Sequence, residues 1–185
     1  MRHILRRREV VEDDWRYWGE AGDRVAGAAG SEKVAGAEEP FNLAGNPALI
    51  VPFAEFRNNI ARWRDYRGRL GVRLSPADAA EDLAEDVHRL SLVAAEFPSA
   101  GEGRGYTQGR LLRSRFHFKG ELRAVGAGVK QDLLFIMSRC GFDSFELASG
   151  QKVDEALRAL DRYSVAYQPA EPVPSIRQQR FFAAG

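Results

Sequence analysis

Five charged residues stand in stretches that otherwise read as buried β-strand: Arg73, Glu96, Glu121, Arg123 and Glu146. Both faces of a parallel sheet are normally apolar. A charge taken out of water is costly unless it is paired and hydrogen-bonded. These side chains must therefore pair with one another, sit at strand ends near water, or line a pocket. The glycine-rich segment GEGRGYTQG at 101–109 adds Arg104, Tyr106 and Thr107. In a ligand-binding reading, Arg104 and Arg123 hold an anionic group through charge-assisted hydrogen bonds, and Tyr106 and Thr107 add neutral ones. Thr107 also caps the helix that follows, whose amino terminus favours anions. The carboxylates Glu96, Glu121 and Glu146 orient the arginines or supply acid–base chemistry. In the alternative reading the same residues form structural salt bridges that fix the sheet, with no ligand.

Other chemistries find no complete pattern. The 101–109 segment lacks the spacing and terminal Lys-Ser or Lys-Thr pair of a phosphate loop, and its glycines are too close for a dinucleotide fingerprint. A tight turn accounts for them. His3, His88 and His117 are far apart and none stands at metal-ligand spacing from Cys140, the single cysteine, so no metal site is expected. Cys140 falls on an apolar stripe beside Ile136 and Met137, which reads as a buried, inert thiol. Trp15, Tyr17 and Trp18 read as packing of the amino-terminal segment against the main body.

Ligands of α/β folds sit outside the carboxyl ends of strands, here near Glu96, 101–107, 126–128 and 146–150. The elements that must position such residues follow from hydrophobic periodicity. Strands are predicted over 48–53, 69–74, 91–97, 121–125, 142–147 and 164–167. Helices fill the gaps. One over 54–67 buries Phe56, Ile60 and Trp63. A second, starting at Ser75-Pro76 with Asp78 in its first turn, buries Ala80, Leu83, Val87 and Leu90. Further stripes are Leu111, Leu112 and Phe116; then Val129, Leu133, Ile136, Met137 and Cys140, closed by Gly141 as a helix cap; then Val153, Ala156, Leu157 and Leu160. This alternation predicts an α/β fold with a mainly parallel sheet of five to six strands, and an open sheet or a partial barrel both satisfy it.

Segments 3–5 and 10–15 read as a small amino-terminal β ribbon spanning 1–18. A Gly- and Ala-rich stretch over 19–46 reads as a flexible linker. The α/β domain occupies 47–168, and a proline-rich extended tail occupies 169–185. The 185 residues carry 27 basic and 26 acidic side chains. That balance argues against a nucleic-acid partner. No stretch reads as a membrane span or secretory signal, and a lone cysteine suits a reducing cytoplasm. A homodimer is compatible with the composition.

The segments FPSAGEGRGYTQGRLLRSRFHFKGELRAVG and RCGFDSFEL resemble the bacterial family known as domain of unknown function 934. The likeness runs from about residue 47 onward and is weaker over the Asp14-Trp15 pair. This chain has Ala127 after Gly126, where many members carry an acidic residue. Genes of that family commonly neighbour those of assimilatory sulfite reductase. The resemblance therefore implies an accessory protein that acts with sulfite reductase or its electron donor and has no redox cofactor of its own. A small α/β enzyme acting on an anionic metabolite is the alternative.

Overall fold

The computed structural model describes residues 3–19 and 45–161. The linker expected over 19–46 lies outside the described residues except at its ends, as do the strand expected over 164–167 and the tail over 169–185. In chain order the elements are β1 (His3–Arg6), β2 (Glu9–Glu12), β3 (Arg16–Tyr17), β4 (Leu49–Pro52), α1 (Phe53–Asn58), α2 (Ile60–Arg64) and β5 (Leu70–Leu74). Two 3-10 turns follow, Ala80–Leu83 and Val87–Arg89. Next come β6 (Leu92–Glu96), α3 (Arg104–Ser114), β7 (Glu121–Val125), α4 (Leu134–Arg139), β8 (Ser144–Phe145) and α5 (Val153–Asp161).

The described strands form one sheet in the order β2-β1-β8-β7-β6-β5-β4-β3. Pairing is parallel from β3 through β8 and antiparallel where β1 meets β2 and β8. The fold is α/β, as the alternation requires. The expected count of five to six is corrected to eight, because the amino-terminal segment is no separate ribbon: its hairpin extends one edge of the sheet and β3 extends the other.

That topology forces the sheet to curl. Glu12 ends β2 and Arg16 begins β3, so only the three residues 13–15 join strands at opposite edges of the sheet. The four residue steps from Glu12 to Arg16 reach at most about 14 Å. Laid flat, seven strand spacings of about 4.8 Å would separate the edges by roughly 34 Å. The sheet is accordingly an open half-barrel, and the peptide at 13–15 crosses its concave side. Strand alternation then sorts residues into two cores. Leu49, Val51, Val72, Leu74, Val93, Ala95, Leu122, Ala124 and Phe145 face the helices. Ile50, Leu92, Ala94 and Val125 face inward with Trp15 and Tyr17.

Local chemistry explains the departures from expectation. The helix expected over 54–67 divides at Asn59 (φ −125°), where two adjacent asparagines favour hydrogen bonds outside helical geometry. The helix expected after Ser75-Pro76 becomes the two 3-10 turns. Asp78 Oδ2 accepts from the Ser75 N–H at 2.7 Å, the reverse of the expected serine cap, and this local bond competes with helix initiation. Its stripe is still buried at Ala80, Leu83, Val87 and Leu90. The strand expected over 142–147 shortens to β8. In α4, Ile136 is 49% exposed rather than packed. Gly141 does end that helix, with φ +100° and its N–H donating to Ser138 O.

Candidate functional site

Strand parity puts Arg123 on the concave face of β7, between Leu122 and Ala124 on the convex one. Its side chain is 0% exposed, as is that of Asp13, its partner from the crossing peptide. Arg123 NH1 donates to both carboxylate oxygens of Asp13 at 3.0 Å, while Nε and NH2 donate to Glu121 Oε1 at 3.0 and 2.8 Å. Glu121 Oε1 also accepts from the Ser144 hydroxyl at 2.6 Å, and Arg6 approaches Oε2 at 3.4 Å. Burial works to raise the Glu121 carboxyl, yet Arg123, Ser144 and Arg6 outweigh it and hold the group below its ordinary value. Burial likewise works against the Arg123 cation, and Glu121 and Asp13 reverse that effect.

Further along the same face, the Tyr17 hydroxyl donates to Glu146 Oε2 at 3.0 Å, and the Arg73 guanidinium lies 5.5 Å from the Tyr17 ring centre. Glu146 is buried just after β8, and half-buried Glu96 ends β6. Glu96 forms no side-chain hydrogen bond or ion pair among the described residues. The concave face therefore gathers Arg73, Glu96, Glu121, Arg123 and Glu146, all flagged as misplaced charges in the sequence, and couples all of them except Glu96 to Asp13, Tyr17 or Ser144.

The remaining candidates stand elsewhere. Arg104 begins α3 rather than lying in a loop, and it is exposed. Its Nε and NH2 hold Glu102 at 3.0 and 2.9 Å and pull that carboxyl down to about 2. Tyr106 is half-buried, edge-on to Phe97 with ring centres 5.1 Å apart, and burial pushes its hydroxyl up. Thr107 is exposed inside α3 and caps nothing, since Gly103 holds the cap position without a side-chain bond. The glycine spacing is likewise corrected in part. A Cβ at Gly105 would lie 2.5 Å from the Phe97 ring, so that glycine lets α3 approach β6 rather than forming a turn.

Sequence reasoning missed Asp13, because Glu12, Asp13 and Asp14 are indistinguishable in a linear acidic run. The available signal was that a buried Arg123 needs a carboxylate from some other element. Asp14 instead faces outward and pairs with Arg69. Cys140 is half-buried, and burial pushes its thiol up against the opposing pull of Arg110 and Arg139. Among the described residues, no three His, Cys, Asp or Glu side chains are placed to hold a metal ion, and no helix is long and apolar enough to cross a membrane.

Compared with known proteins, residues 71–175 match the family model described as "Bacterial protein of unknown function (DUF934)". The match covers β5 through α5 and hence Arg73, Glu96, Glu121, Arg123 and Glu146. No curated protein matches the chain.

Proposed function

The chain belongs to the DUF934 family, and on that premise we propose that it is a non-catalytic accessory protein of assimilatory sulfite reduction. It acts by binding the reductase or its electron donor. The pathway comes from the family resemblance. The non-catalytic part rests on one observation: the Arg123 guanidinium is enclosed by Asp13 and Glu121, with four hydrogen bonds directed at those two carboxylates. A group so committed serves to lock the crossing peptide onto the half-barrel, and it has little left with which to hold a substrate anion.

The alternative, a small α/β enzyme acting on an anionic metabolite, required Arg104 and Arg123 to share a pocket. Arg104 instead sits on the exterior with Glu102, which removes the pairing that motivated that reading.

A clean deletion strain, grown on sulfate, sulfite, sulfide or cysteine as sole sulfur source, tests the proposal. Growth on sulfide but not on sulfite, restored by the wild-type gene and by Arg104→Ala, is the expected result. Normal growth on every source would overturn the pathway assignment. A requirement for Arg104 would return attention to the enzyme reading.

A further inference from the structure

Beneath the amino-terminal ends of β7 and β8 lies a groove of about 660 Å³, bounded on one side by the β1–β2 turn. We propose that this groove binds an organic anion with an apolar or aromatic body, its charged group held by Arg6, Arg7 and Lys119. The inference does not depend on the sulfite-reduction reading and stands or falls separately from it.

The fold leaves charge unused at this groove. Four cations line the groove, but Arg113 is committed: it donates to the carbonyls of Gly141, Phe118 and Gly120 and to Asp143. Arg7 and Lys119 are exposed and form no side-chain hydrogen bond or ion pair among the described residues. Arg6 keeps one long contact to Glu121 at 3.4 Å and is 42% exposed. Of the lining carboxylates, Glu121 and Asp143 are taken up by Arg123 and Arg113, which leaves Glu9. Among the described residues two uncommitted cations, with Arg6 beside them on its long contact to Glu121, thus face one uncommitted carboxylate.

The backbone conformation of the β1–β2 turn points the same way. Arg7 and Arg8 form a two-residue hairpin turn with φ of +48° and +68°. Left-handed positions in such a turn favour Asn-Gly, and side chains with a Cβ are disfavoured there. Arginine at Arg7 is therefore a poor choice for stability. It does place a guanidinium at the groove, with the turn tied to β8 by the Arg7 N–H donating to Asp143 O at 3.0 Å. Strain of this kind is found where side-chain chemistry is required.

Size and lining set the ligand class. Small-molecule sites occupy roughly 300–1,000 Å³, and an inorganic phosphate or sulfate would leave most of this groove empty. Half-buried Val11 and the small exposed edges of Phe118 and Phe142, 3% and 4% exposed, border the cations. Guanidinium and ammonium groups suit phosphate, sulfonate or carboxylate heads.

The test uses the full chain and 1-naphthyl phosphate, with affinity from calorimetry and location from amide NMR shifts. The expected result is one site, with shifts centred on Arg7, Gly120 and Gly141. Affinity should fall about tenfold in Arg7→Ala and about a hundredfold in Arg7→Glu/Lys119→Glu, since each charge-assisted contact is worth roughly a factor of ten. Arg7→Asn, which suits the left-handed backbone, should bind more weakly while raising Tm, a combination that a purely structural role for Arg7 would not produce. Arg57→Glu, on the far exterior, should bind as wild type does. Unchanged affinity in the double variant, shifts centred elsewhere, or no binding would overturn the proposal. Equally tight binding of inorganic phosphate would remove the role of the apolar surface. Tighter binding of a hexaglutamate peptide would replace the small ligand with a protein partner.

Discussion

Replacing Arg123 with methionine removes the cation but keeps most of the volume, leaving Asp13 and Glu121 facing each other in a buried space. Breaking a buried ion cluster at one member costs about 3–5 kcal/mol, because the remaining charge is uncompensated. In a domain of this size each kcal/mol moves Tm by roughly 2–4 °C, so a drop of about 6–20 °C is expected. Neutralising the carboxylates as well, in Arg123→Met/Asp13→Asn/Glu121→Gln, should recover much of that loss. The pH dependence gives an independent check. In the wild type the Glu121 carboxyl is held below its ordinary value of 4.5, so its contribution is full above that value and is lost as pH falls through the lower, folded one. Without Arg123, burial dominates and raises the group, so the variant is relieved by protonation as pH falls. Urea unfolding at pH 7.5 and 5.0 should show the gap between wild type and variant narrowing on acidification. A loss under 1 kcal/mol, no recovery in the triple variant, or a gap that widens at pH 5.0 would refute the account of this cluster.

Arg113→Ala, which strips partners from Gly141 O, Phe118 O, Gly120 O and Asp143, should cost about 3 kcal/mol by urea denaturation. Arg113→Lys should restore little of it, because an ammonium cannot reproduce the fork of donors. Gly126→Ala places a Cβ 2.6 Å from Phe97 O at a φ of +106° and should lower stability by about 2 kcal/mol or more. The Cys140 thiol, pushed up by burial, should react with iodoacetamide more slowly than a free thiol at pH 7.5 and reach the free rate in denaturant.

How much of this was legible in the chain differs between fold and site. The alternation of apolar runs determined the α/β class, the parallel core from β4 to β8 and most of the buried residues, since burial periodicity is a local property of each strand and helix. It also marked Arg73, Glu96, Glu121, Arg123 and Glu146 as charges in the wrong place, and the tertiary structure gathers them on one concave face. What periodicity could not decide was pairing at a distance. Asp13 meets Arg123 across 110 positions because a three-residue peptide must bridge the two edges of the sheet, and nothing in the run Glu12-Asp13-Asp14 singles out the middle residue. Arg104 and Arg123 look equivalent as isolated arginines. Only the curl of the sheet encloses one and leaves the other outside, because curvature is a property of all the strands together.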